Sequence, residues 1–118
     1  MNRKYRLTNS SDFQRVRRTG KSFAHPLAIL IASANNRPTS RFGFTTGKAL
    51  GSAVRRNRTK RLLREAIRGH LATIKPGWDI VIIARPKIIE SSWSEIQEAI
   101  TNLIQRAELF DKYRAKHE

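Results

Sequence analysis

The 118-residue sequence contains no cysteine, so neither disulfides nor thiolate metal sites are available to it. That absence fits a reducing compartment and makes the cytoplasm the expected location. Long hydrophobic runs are missing as well. Nothing approaches the roughly 18 apolar residues that span a bilayer, and residues 1–11 have no apolar stretch of the secretory-signal kind. A soluble chain with no membrane partner is expected. Acid is the next scarcity: nine Asp and Glu stand against 24 Lys and Arg, for a net charge of +15.

Few acids leave little material for a protein active site. Hydrolytic chemistry needs paired carboxylates, a metal cage or an activated nucleophile. Only Asp12 and Glu65 are acidic in the first 70 residues. His25, His70 and His117 are scattered without metal-ligand spacing. Gly47-Lys48-Ala49 lacks the spaced preceding glycine of a Walker phosphate loop. No catalytic residue and no side-chain metal cage are expected.

What is present is positive charge, unevenly placed. Residues 1–70 hold 17 basic and two acidic residues, whereas residues 71–118 hold seven of each. The whole excess therefore lies in the first 70. Self-repulsion of this kind destabilises a compact fold unless a polyanion answers it. An anionic membrane would want a basic helix backed by Trp or Phe, and the most basic segment here carries no aromatic residue. A nucleic acid is the expected partner.

One domain, residues 1–118, suits this length, with the tail after about Tyr113 expected to be flexible. Asn9–Arg18 reads as a short helix capped by Asn9 and ended by Gly20. Ser22–Ala34 reads as one strand with a bulge or edge near Pro26. Asn35–Ser40 is a turn, and Arg41–Thr46 alternates well enough to pair back as a hairpin partner. Ser52–Arg68 reads as a helix, Asp79–Ala84 as a short buried strand. The last helix starts at Ser92, which forms a capping box with Glu95, and runs to about Lys112. The order α-β-β-(β)-α-β-α predicts an α+β fold, a small mixed sheet with helices packed on it.

The helix over 52–68 carries the chemistry. Seven of the fourteen residues from Arg55 to Arg68 are basic. At about 100° per residue, Thr59, Leu62, Leu63, Ala66 and Ile67 form one stripe, and Asn57, Lys60, Arg61, Arg64 and Arg68 form another. Arg55 falls near Leu62 and Arg56 beside Ile67, where aliphatic stems can line the core. Arginine forks match phosphate oxygens, and Asn57 can serve a base edge or a 2′-hydroxyl.

Arg56-Asn57-Arg58-x-Lys60-Arg61-Leu62-x-Arg64 resembles the signature of the bacterial ribonuclease P protein family. Leu7, Asp12-Phe13, Gln14, Val16 and Gly20 resemble its opening helix. Gly43, Lys48, Gly51 and Ala53-Val54 resemble the lead into its signature helix, and Ile80–Arg85 its last strand. The resemblance implies a single-domain two-layer α/β sandwich similar to a ribosomal-protein domain, with a left-handed crossover. It implies that Lys48, Arg56, Asn57, Arg58, Lys60, Arg61, Arg64 and Arg68 face the catalytic RNA. It implies a cleft between the first helix and the sheet that binds the 5′ leader of precursor tRNA, lined by Phe13 and, at the strand position, by Ile31. Cleavage would belong to the RNA with Mg²⁺, which the holoenzyme requires. No obligatory protein partner is implied.

This sequence departs from the family pattern in three places. Arg17 stands where a second aromatic is common, Ile31 where a strand aromatic is common, and Lys48 is followed by Ala49 instead of a second basic residue. Those changes shift leader binding toward charge, through Arg15, Arg17 and Arg18. Phe13 by residue type suits either the cleft or the core. A ribosomal or other structural RNA-binding protein is the alternative reading. A DNA-binding helix-turn-helix would need a second helix across a short turn, and strands flank the basic helix instead.

Overall fold

The computed structural model describes residues 1–111, so the tail after Tyr113 lies outside the described residues. Helix α1 spans Ser10–Thr19. The Asn9 side chain accepts from the Ser11 N–H at 2.9 Å, and the Gly20 N–H closes the helix on the Val16 carbonyl at 2.7 Å. Two strands follow, β1 (Lys21–Ala24) and β2 (Ala28–Ala34), where the sequence suggested one. The chain reverses at His25-Pro26-Leu27. His25 donates its N–H to Ala28 O at 2.9 Å, and His25 Nδ1 accepts the Leu27 N–H at 3.0 Å. Proline has no N–H for a ladder and a fixed φ, so it marks a corner here and not a bulge within a strand.

Strand β3 (Arg41–Thr45) does not form the expected hairpin with β2. It pairs in parallel with β4 (Trp78–Ala84), which inserts between β2 and β3 to give the order β1-β2-β4-β3. The nearly continuous apolar run of β4 explains the choice. Such a strand is best placed centrally, with neighbours on both edges and helices over both faces. A parallel partner needs a crossover, and helix α2 (Ala53–Arg68) supplies it.

Side-chain alternation sorts the sheet residues into two faces. Leu30, Phe42, Ile80 and Ile82 pack with Leu63 and Ile67 of α2 and with Ile96, Ile100, Leu103 and Ile104 of α3 (Trp93–Arg106). Sheet, α2 and α3 make the two-layer sandwich. On the other face Ile31 and Val81 pack with Leu7 and with Val16 of α1. The helix α1 covers only part of that face, and Ile29 and Ile83 stay half-exposed.

The Ser92–Glu95 capping box opens α3 as the sequence predicts. The helix stops at Arg106, short of the expected end near Lys112. Glu108 adopts φ 56°, and Phe110 then bridges antiparallel to Ile74. A left-handed residue with a side chain ends the helix where no glycine announces it.

Beneath α1 lies a buried carboxylate. The side chain of Asp79, at the start of β4, has 0% exposure. Arg41 grips it with both arms of its fork, Nε to Oδ1 at 2.9 Å and Nη2 to Oδ2 at 2.7 Å. Asn35 donates at 2.8 Å, and Arg15 of α1 donates as well. Asp12 sits 3.7 Å from Arg15 and 3.6 Å from Arg41. Burial alone would raise the Asp79 pKa, but the hydrogen bonds from Arg41, Asn35 and Arg15 outweigh it and hold the group below its ordinary value.

Replacing Asp79 by Asn strands two arginines beside a neutral amide, and about 3 kcal/mol of stability should be lost at neutral pH. A carboxyl whose folded pKa is depressed stabilises above its unfolded pKa of about 3.9. That contribution disappears as pH falls through the folded value. Urea unfolding should therefore show the difference between Asp79→Asn and the unaltered chain shrinking below about pH 4. A difference undiminished at about pH 2 would trace the loss to packing.

Candidate nucleic-acid interface

Helix α2 presents the densest charge. The Ser52 side chain caps it by accepting from the Arg55 N–H at 3.3 Å. Thr59, a polar residue in the apolar stripe, is satisfied by donating its hydroxyl to the Arg55 carbonyl at 2.9 Å. Thr59, Leu63, Ala66 and Ile67 are buried and Leu62 half-buried, as the helical wheel predicts. With that stripe fixed inward, Asn57, Arg58 and Arg61 are exposed, and Arg56, Lys60 and Arg64 are half-exposed. Lys48 is exposed on the short turn before the helix.

Among the described residues, no carboxylate lies within ion-pair distance of Lys48, Arg56, Arg58, Lys60, Arg61 or Arg64. Arg68 differs. Its Nε and Nη2 donate to Glu65 at 2.7 and 3.0 Å, so the last cation of the ridge is already balanced by its own helix. The three-residue spacing brings the two side chains together. Arg56 differs in another way: its Nε is enclosed and has no hydrogen-bond partner among the described residues. The enclosed Nε and half-exposed side chain agree with a stem at the edge of the core, as its wheel position beside Ile67 suggested.

At the β3 edge, the ridge borders a cleft of about 230 Å³. Lys60 and Arg64 line it from α2, Phe13 from α1, and Gly43 and Phe44 from β3. The N-terminal segment closes the rim. Arg6 forms a parallel bridge to Phe42, and the Leu7 N–H donates to the Phe42 carbonyl at 2.8 Å. The half-buried Phe13 ring presses on the backbone of Gly43, where an added Cβ would lie 2.4 Å from its Cζ. Gly43 is therefore required by a close approach, and the ring is held with part of its surface open.

The residues expected to bind a leader divide. Phe13 is half-open, and Arg17 and Arg18 are exposed. On the helical wheel Arg17 lies roughly 40° from Phe13, on the same flank. Arg15 is not a free cation: it is bound to Asp79, and Asp12 is near. Ile31 is 8% exposed, because α1 lies across it. Both hold α1 on the sheet. The sequence reading missed Arg6, Thr8 and Phe44, which also line the cleft. The basic N-terminus and the alternation of Arg41–Thr45 were the available signals for two of them. A lone Asp opening an otherwise apolar strand was the signal for Asp79.

Among the described residues, no three His, Cys, Asp or Glu are grouped to hold a metal ion. No helix among them is long and apolar enough to cross a membrane.

Comparison with known proteins agrees with this arrangement. The family model described as Ribonuclease P matches residues 1–108. The chain is 41% identical over 110 residues to the ribonuclease P protein component of Herpetosiphon aurantiacus, covering 93% of this chain and 89% of that protein. It is 45% identical over 108 residues to that of a Roseiflexus species, covering 91% and 88%. Among solved structures, the Staphylococcus aureus RNase P protein superposes with a TM-score of 0.83 at 32% identity, over 90% of this chain and 97% of that one. The Thermotoga maritima RNase P protein gives 0.79 at 32% identity, over 86% and 96%. The match runs through the capped basic helix, the Phe13–Gly43 cleft and the four-stranded sheet together, and the chain belongs to the ribonuclease P protein family.

Proposed function

We propose that this chain is the protein subunit of a ribonuclease P. It binds the catalytic RNA through the exposed ridge of α2, and the 5′ leader of precursor tRNA through Phe13, Arg17 and Arg18 beside the cleft. The RNA cleaves the leader, and the protein supplies no reacting group. One observation carries the reading: Arg58, Lys60, Arg61 and Arg64 face outward from α2, with no carboxylate in ion-pair reach among the described residues. Neutral proteins mix the signs of their surface charge. A one-signed ridge is stabilised by releasing condensed counterions from a polyanion.

Each residue has a stated part. Arginine forks on the ridge take phosphate oxygens in pairs. Asn57, exposed among them, can bond a base edge or a 2′-hydroxyl. Lys48 extends the charge along the turn that leads into α2. The open surface of the Phe13 ring offers a stacking platform for one base of a single strand. Arg17 and Arg18 attract the strand's phosphates where a second aromatic is absent.

Mg²⁺ enters the holoenzyme by family resemblance, and the residues present do not fit a protein site for it. Asp79 and Asp12 are engaged by arginines, and Glu65 by Arg68. Hard cations need several oxygen ligands, and a carboxylate committed to a guanidinium is a poor one. We assign the ion no protein ligand. The cytoplasm is the proposed location, since tRNA maturation and a cysteine-free chain both suit it. For the helix-turn-helix alternative, β3 and β4 flank α2, where a partner helix across a short turn would be needed.

Reconstitution tests the assignment. Added to a bacterial ribonuclease P RNA at low Mg²⁺, the chain should restore cleavage of precursor tRNA; no stimulation would remove the proposal. Arg58→Ala and Arg61→Ala should each weaken RNA binding and reduce the slope of log K against log salt by roughly 0.7–0.9. Thermal stability should be nearly unchanged, because both side chains are exposed. Phe13→Ala should weaken precursor tRNA with a leader by about tenfold and leave mature tRNA little affected. Equal weakening of both would make Phe13 a packing residue only.

A further inference from the structure

On the flank of α2 away from the cleft lies a second groove, of about 270 Å³. Its floor is apolar: Leu62 of α2, and Ile88 and Ile89 of the short turn Pro86–Glu90 that leads to α3. Leu62 and Ile89 are half-exposed, whereas Ile88 is buried. Its rim is cationic: Arg55 and Arg58 stand over the opening with no carboxylate in ion-pair reach among the described residues. The positions i, i+3 and i+7 put Arg55, Arg58 and Leu62 on one side of the helix. Lys60 and Arg64 line the cleft on the other. The Arg55 stem is also placed, since a Cβ at Gly51 would lie 3.3 Å from its Cδ.

We propose that this groove holds one unstacked nucleotide of the catalytic RNA, its base against Leu62 and Ile89 and its flanking phosphates on Arg55 and Arg58. The inference rests on the RNA-binding reading of α2 and extends it to a second flank. Sites for drug-sized ligands usually begin near 300 Å³, so a groove of about 270 Å³ suits a single flat ring system. An apolar floor below two arginines matches a base with phosphates on either side. Singly exposed bases are what proteins read in folded RNA, since the deep groove of an A-form helix excludes side chains.

The test compares Ile89→Ser, Arg55→Ala and Arg61→Ala in binding to a bacterial ribonuclease P RNA across a salt series, with base-specific chemical probing of the RNA. Thermal melts confirm that each variant is folded. Ile89→Ser should weaken binding roughly tenfold, as loss of about two buried methylene contacts would, at an unchanged salt slope. One nucleotide should become reactive at its base. Arg55→Ala should weaken binding and lower the slope by roughly 0.7–0.9. If Arg61→Ala weakens binding while Ile89→Ser binds normally and no base changes reactivity, the groove is packing and the inference fails. If Arg61→Ala is also silent, the fault lies in the RNA-binding reading of α2 itself.

Discussion

The buried carboxylate of Asp79 is the interaction on which the functional arrangement depends. It ties three separate pieces of chain to the central strand: Arg41 of edge strand β3, Asn35 of the turn after β2, and Arg15 of α1. A lone ionised carboxylate in a protein interior is costly, and two arginines with an amide are what make it tolerable. Without them the helix would be held on that face by four buried residues, Leu7, Val16, Ile31 and Val81, with half-buried Phe13, Ile29 and Ile83 packed against them. That cluster is small, and α1 is only ten residues long. A helix of that length has marginal stability alone. The ionic clamp gives α1 a defined position, and so gives Phe13 its place above Gly43.

The scarcity of acid follows the same logic. In the first 70 residues there are two acids, and each is used on an arginine that the chain itself needs to hold. Asp12 stands between Arg15 and Arg41, and Glu65 pairs with Arg68. The acid-rich second part of the chain puts Asp79 in the interior and Glu95 in a cap, where bonds from Ser92 keep its pKa low. None of these reaches the middle of α2. The middle of the ridge stays one-signed because Asp12, Asp79 and Glu65 are committed to Arg15, Arg41 and Arg68. Repulsion between its neighbours costs only a few tenths of a kcal/mol per pair, small against the apolar burial of Leu63 and Ile67 on the opposite stripe.

Local signals made much of this legible in the sequence. Caps at Asn9 and Ser92 place two helix starts, because a short polar side chain before an apolar pattern has few other uses. The wheel of α2 separates its dry stripe from its cations. What could not be read was pairing. The alternation in Arg41–Thr45 fits any strand neighbour, and only the insertion of β4 between β2 and β3 makes it parallel. Nor does a sequence show which arginines are engaged. Arg15 and Arg17 look alike two residues apart, yet one faces Asp79 and the other faces solvent. That distinction depends on a carboxylate 64 residues away in the chain.

The edge position of β3 then explains how two surfaces on opposite faces of one sheet can serve one ligand system. Helix α1 packs on one face and α2 on the other. In the middle of a sheet such helices would be separated by the full layer of strands. At the β3 edge, among the described residues, no further strand of the sheet follows, only the short Arg6 bridge, and both helices reach around it. Phe13 from one face and Lys60 with Arg64 from the other therefore line a common cleft. A folded RNA lying on α2 and a single strand lying along α1 would meet there without crossing the protein. The exchange of hairpin pairing for a parallel crossover, which the sequence did not announce, is what leaves that edge available.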